Sequence, residues 1–245
     1  MKKVYILILI MIPSLGFGQA VPQNIRAQIS AERLANANWD RVGNAIVGMP
    51  IPPGRVVGDT YFDSKWNMGS VMVADKNTVI EGYPMKYDIK GQAVEIKTAQ
   101  GIRLLSVSNV GHMVWLDSIT RLPHYFVNAS KFKDDGVPMV GLLEVVADGH
   151  RALFRKTVVN TKSPTYVPAM DVGSRDTEIY KKSSYLYNEG DKVIEIKSKK
   201  KLIESFGDAG PDMEKFIKEG KLDAKSEEDL VKIFEYYNSK FPLTN

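Results

Sequence analysis

From Val79 to Lys90 the chain alternates. Val79, Tyr83, Met85, Tyr87 and Ile89 share one parity, and Gly82, Pro84, Lys86, Asp88 and Lys90 take the other. A period of two sends neighbouring side chains to opposite faces of an extended strand, so the first set is expected to cover a core while the second meets water. Glu81 interrupts the apolar parity. Gly82 with Pro84 marks a bulge or an edge, because proline cannot donate to a strand ladder. Asp75-Lys76-Asn77 before this run and Lys90-Gly91-Gln92 after it supply turn residues, and Val94 and Ile96 then alternate with Glu95 and Lys97. Short connections between half-apolar strands read as antiparallel sheet, since buried parallel strands are apolar throughout. Gly69–Lys97 is therefore expected to be a strand–turn–strand–turn–strand meander.

The same reading extends down the chain. Ile102–Val107, Met113–Asp117 and His124–Asn128 continue the strands, and Phe132–Pro138 is a polar excursion. Met139–Ala147 is apolar on both parities and is expected to be a central strand covered on both faces. Asp148-Gly149 reads as a hairpin turn, with Ala152–Val159 returning. After a loop over 160–173, Glu178–Lys181 and Ser184–Tyr187 lead into a turn at Asn188-Glu189-Gly190-Asp191, and Lys192–Lys197 answers.

The period then changes. Leu202, Ile203 and Phe206 fit a short helix stopped by Gly207, and Pro211 opens a second with Met213, Phe216 and Ile217. Leu230, Ile233, Phe234 and Tyr237 stand at i, i+3, i+4 and i+7 of a third, with Ser226 and Asp229 resembling a capping box. Helices this short need a surface to pack on. The expected fold is mainly β: an antiparallel meander forming a curved sheet or partly open barrel, with a short α-helical C-terminal cap.

The N terminus is different. Lys2 and Lys3 precede an apolar run from Val4 to Ile12, then Pro13 and Gly16-Phe17-Gly18, the layout of a secretory signal peptide cut after Gly18. The run is too short to span a bilayer, which takes about 20 apolar residues. The chain thus divides into a signal peptide at 1–18, a lead-in segment at 19–58 with helical spacing at Ile25, Ile29 and Leu34, a β domain at 59–197 and the helical cap at 198–245. A periplasmic or secreted location follows, with no transmembrane span after cleavage.

Losing residues 1–18 takes Lys+Arg from 33 to 31 against 29 acids, a net charge of +2. Nucleic acid is therefore not an expected partner, because its binders carry clustered basic faces. The dense run Lys197–Lys201 reads as a solvated helix start. With no cysteine in the chain there is no disulfide, thiol catalysis, iron–sulfur cluster or lipid-modified cysteine.

The order of export signal, Gly58-x-x-Tyr61-Phe62-x-x-x-Trp66, the meander with Met85-Lys86-Tyr87, and the closing Lys200-Lys201-Leu202-Ile203 … Glu227-Glu228-Asp229-Leu230 … Tyr236-Tyr237-Asn238 resembles that of uncharacterised secreted β-rich proteins of Gram-negative bacteria. That resemblance implies a compartment and an architecture, and no catalytic residue.

Reactive motifs are sparse. His112, His124 and His150 have irregular spacing, and there is no His-Glu-x-x-His, nucleophile elbow, phosphate loop or dinucleotide fingerprint. Ser130-x-x-Lys133 has a spacing expected by chance and lacks companion motifs. No metal or cofactor is expected. Two functions remain. The first is an exported, non-catalytic binding or envelope-structural protein that meets a lipid, glycan or protein partner through a sheet face or through an aromatic edge at Tyr61, Trp66 and Trp115. The alternative is a secreted hydrolase, which requires two or more of His112, Asp117, His124, Asp135 and Asp171 to converge in one pocket; Asp134 and Asp176 are further loop acids.

Overall fold

A computed structural model describes residues 54–74, 78–168 and 170–242. The expected signal peptide, most of the expected lead-in segment with its helix, and the expected Asp75-Lys76-Asn77 turn lie outside the described residues. Among the described residues thirteen strands join one sheet. They are β1 (Val56–Val57), β2 (Asn67–Val73), β3 (Thr78–Asp88), β4 (Ala93–Thr98), β5 (Gly101–Ser106), β6 (Val110–Leu116), β7 (Pro123–Asn128), β8 (Lys133–Asp134), β9 (Val137–Pro138), β10 (Leu142–Ala147), β11 (Leu153–Lys162), β12 (Thr177–Glu189) and β13 (Lys192–Glu195). Their spatial order is β5-β4-β3-β2-β6-β7-β10-β11-β12-β13-β8-β9, with β1 beside β12. Every neighbouring pair is antiparallel except β1 with β12 and β13 with β8.

The mainly β, antiparallel architecture with a helical cap is what the periodicity predicts. The strand order departs from a simple meander. After β5 the chain returns to the far side of β2, and the buried Asn128 side chain steadies that return by donating to the carbonyls of Val107 and Val110 at 2.9 and 2.7 Å.

The alternation in β3 is interrupted as well. Gly69 pairs with Tyr83 and Ser70 with Glu81, which leaves Gly82 as an extra residue at φ +76°. A bulge exchanges the faces on its two sides. Beyond it Met85, Tyr87 and Ile89 are buried as expected, whereas Val79 turns to the other face and Tyr83 sits 40% exposed near the strand's bend.

The inner face of the sheet carries two apolar clusters. One gathers Val71, Met85, Tyr87, Val94, Ile96, Met113, Trp115, Phe126 and Leu142 from β2 to β10, and the sheet curls enough for the Tyr87 hydroxyl on β3 to accept from Leu142 N–H on β10 at 3.2 Å. The other packs Ala147, Leu153 and Tyr187 beneath helices α1 (Lys199–Ser205), α2 (Gly210–Glu219) and α3 (Glu227–Lys240). Leu230, Ile233, Phe234 and Tyr237 form the buried stripe of α3, as their spacing requires. A third cluster on the opposite face joins Ala129, Met139, Leu143, Phe154 and Leu186, with the Phe132 ring tilted against that of Phe154 at 5.0 Å between centres.

Three local expectations are corrected. Ala147 pairs with Leu153, so β10 and β11 are joined by a five-residue loop and Asp148-Gly149 is not a tight two-residue turn. Asn238 on α3 shapes that loop: its side chain accepts from Arg151 N–H and donates to the carbonyls of Asp148 and Arg151. Ser226 makes no side-chain cap to α3, because Asp229 instead accepts from Asp223 N–H at 3.0 Å. Finally, Glu178–Lys181 and Ser184–Tyr187 belong to one continuous strand.

Tyr166–Val172 belongs to a second compact unit. Val167 N–H donates to the Val172 carbonyl at 2.8 Å, and the Tyr166 hydroxyl donates to Asp171 at 2.9 Å.

Candidate functional site

The aromatic residues singled out from sequence separate onto two faces. Trp115 is 1% exposed in the inner core, 4.9 Å from Phe126 and 5.9 Å from Phe62. Tyr61 and Trp66 lie together on the outer face of β3 and β4, where the Lys86 ammonium sits over both rings at 4.9 and 4.8 Å and the Tyr61 hydroxyl donates to Glu95 at 2.8 Å. The Lys97 ammonium stands 5.8 Å from the Trp66 ring centre.

The acids and histidines separate too. His112 pairs with Val127 and His124 with Trp115, so the two occupy neighbouring strands but opposite faces. Asp117 is near enough to favour the protonated His124 ring. Its own carboxylate, however, caps a turn by accepting from the N–H groups of Ile119 and Thr120, which hold its pKa down. Asp135 stands in the β8–β9 turn at φ +48°, and Asp171 lies in the second unit. Of this set, the large cleft described below takes His112 alone and a smaller one takes Asp135 alone. Among the described residues no group of three or more His, Asp or Glu side chains is placed to hold a metal. None of the described helices is long and apolar enough to cross a membrane.

The densest polar group is one that spacing did not reveal. On the inner face, neighbouring strands bring His124, Glu144, Arg155 and Tyr185 into a row, which the N-terminal turn of α3 closes with Glu227. His124 Nδ1 lies 2.6 Å from Glu144 Oε1, Arg155 Nε donates to Glu144 Oε2 at 2.6 Å, and Arg155 Nη1 donates to Glu227 at 2.8 Å. The Tyr185 hydroxyl donates to the same Glu227 oxygen at 2.9 Å. The Glu144 hydrogen bond raises the His124 pKa against the opposing effect of burial. Burial works against the Arg155 charge, but Glu144 and Glu227 outweigh it and the pKa rises. Burial and then the Glu227 bond push Tyr185 up to about 12. Each charge here is answered by another protein group, and Phe62 covers the row, 6.3 Å from His124 and 5.7 Å from the Arg155 guanidinium. The row is held by pairs that run from four strands of the sheet to the first turn of α3. Its physical role is to tie the sheet to the cap.

The opposite face of the same strands holds an open cleft of about 820 Å³. Met72, Val114, Tyr125, Val127 and Val145 form its floor, while Val79 and Phe132 stand on its flanks. That volume lies within the roughly 300–1,000 Å³ of small-ligand sites. Its polar groups are few. Asn188 is already used, accepting from Ala152 N–H at 2.7 Å, and Asp148 accepts from Gly149 N–H at 2.8 Å. His112 lines the other side with the Lys131 ammonium 3.0 Å from its Nε2. Burial, and then the Lys131 charge, lower the His112 pKa, so the ring is neutral near pH 7 and its Nε2 accepts a hydrogen bond from the lysine ammonium. Among the described residues Lys131 has no carboxylate partner.

The fold placed these cleft residues, and the sequence carried one trace of them: apolar residues on both parities of Met139–Ala147. No protein-family model matches the chain, and no curated protein or solved structure matches it.

Proposed function

We propose that this chain is an exported, non-catalytic binding protein whose outer-face cleft holds the hydrocarbon chain of an acidic amphiphile, with the acid head at Lys131. The observation that carries the reading is an apolar cleft of about 820 Å³ lined by His112, whose Nε2 stands 3.0 Å from a Lys131 ammonium with no carboxylate partner among the described residues. An apolar chain of this kind is driven in by the hydrophobic effect, at about 25 cal/mol for each Å² removed from water. The head group then needs one compensating charge. Lys131 supplies it, and neutral His112 holds that ammonium in place.

The test is displacement of a fluorescent fatty-acid analogue by a long-chain fatty acid and by the matching alcohol. The acid should compete better than the alcohol, Lys131→Gln should remove that preference, and Val114→Trp should lower affinity for both by filling the floor. Equal displacement by acid and alcohol would remove the head-group assignment. An absence of probe binding, or binding that Val114→Trp leaves untouched, would remove the cleft assignment.

A further inference from the structure

The two ends of the sheet are built differently. One ends on β9, only two residues long, whose Pro138 has no N–H to offer. The other ends on β5, six residues without proline or bulge. Its outward-facing Ile102 and Leu104 are 55% and 70% exposed. Natural sheets blunt such edges because an open strand pairs with another chain. Among the described residues no strand pairs with the outer edge of this one.

The backbone fixes which groups are open. Val107 N–H donates to the Gln92 carbonyl at 3.0 Å, and the β4–β5 register runs on from that pair through Val94–Leu105, Ile96–Arg103 and Thr98–Gly101. Bonded and non-bonded pairs alternate in an antiparallel ladder. Arg103 and Leu105 are therefore spent on β4, while Ile102, Leu104 and Ser106 turn their N–H and C=O groups away from the sheet.

We infer that β5 pairs with β5 of a second copy of this chain, antiparallel about a two-fold axis at Leu104. In that register Leu104 meets Leu104 of the other copy and Ile102 meets Ser106, and each pair exchanges both backbone bonds from groups that are otherwise open. Arg103 falls opposite Leu105, so no like charges are directly opposed. A two-fold axis at Arg103 would set arginine against arginine and offer backbone groups already bonded to β4. The strand is thus self-complementary about Leu104, as an isologous interface requires. Pairing also covers Ile102 and Leu104. A single strand pair is small against the standard interface of about 1,600 Å², so the dimer forms in a concentration-dependent way.

The experiment is sedimentation velocity over a hundredfold concentration range, with the protein expressed from its full sequence. A monomer–dimer equilibrium is expected. Leu104→Lys sets two ammonium groups opposite each other at the axis and should weaken dimerisation at least tenfold while leaving the circular dichroism unchanged, since the side chain is exposed. The chain has no cysteine, so Leu104→Cys introduces the sole thiol. Its oxidation should give a covalent dimer, because residues paired across a strand ladder lie about 5.5 Å apart at Cα, within disulfide range. Arg103→Cys, offset from its own copy, should not crosslink. A monomer at every concentration, an unaltered equilibrium in Leu104→Lys, or equal crosslinking at 103 and 104 would overturn the inference.

Discussion

Removing the Arg155 guanidinium gives the sharpest stability test of the inner face. In Arg155→Ala the Glu144 carboxylate, 7% exposed, keeps only His124, and Glu227 keeps only Tyr185. Breaking one side of a buried ion pair costs about 3–5 kcal/mol, because the remaining charge stays desolvated. In a chain of this length that is a fall in Tm of roughly 10 °C. The pair as a whole is worth far less, since its Coulomb gain offsets desolvation and replacing both partners by apolar residues is often near neutral. Arg155→Met with Glu144→Leu should therefore be close to the parent, with an interaction energy of about 2 kcal/mol or more separating the double variant from the sum of the singles. The assay is urea unfolding followed by far-UV circular dichroism and by tryptophan fluorescence. If Arg155→Ala costs under about 1 kcal/mol, or if the two singles simply add, Glu144 is not held as a buried charge and the assignment of this row as the tie between sheet and cap fails.

Two further outcomes follow from the same interior. His124 has its pKa raised above 6.5 by the Glu144 hydrogen bond, so its contribution to stability is complete below pH 6.5 and is lost as pH rises through the higher folded value. His124→Gln should flatten that decline, and a urea midpoint in the parent that does not fall from below pH 6.5 to well above it would contradict the pairing. At the β10–β11 loop, a Cβ on Gly149, where φ is +144°, would stand 2.5 Å from the Asn238 amide. Gly149→Ala and Asn238→Ala should each cost about 1–3 kcal/mol in urea unfolding and combine less than additively, because each releases the same clamp; full additivity would show that Asn238 is not the loop's anchor.

How far the sequence reached can be seen residue by residue. Met85, Tyr87 and Ile89 were placed on the core by alternation alone, because beyond Gly82 no bulge intervenes. Val79 was misplaced by the same rule, since one extra residue inverts every position before it. The Tyr236-Tyr237-Asn238 run was visible as a motif, yet its purpose was not: Asn238 acts on a loop 87 residues away in sequence. Glu144 carried a readable signal. A lone acid inside an apolar central strand must be paired once buried. The partners, His124 across one ladder, Arg155 across the next and Glu227 on a helix, depend on register and curl, which periodicity does not encode. His112 and His124 fell to opposite faces for the same reason.

Strands β6, β7 and β10 depart from alternation at the cleft. Met113, Trp115, Phe126 and Leu142 already bury the inner face of these strands. An antiparallel sheet with one wet side would then be polar at the intervening positions. It is not. Val114, Tyr125, Val127, Leu143 and Val145 occupy them, and of these only Leu143 is fully covered by the third cluster. Nothing in the packing of the fold requires Val114 or Tyr125 to be apolar, since Tyr125 is 53% exposed and Val114 is only half-buried. An apolar side chain left in partial contact with water is a standing cost of about 25 cal/mol for each exposed Å². The proposed hydrocarbon ligand, lying across these strands, would remove that cost and give the second apolar parity the buried partner that the first parity finds in the core.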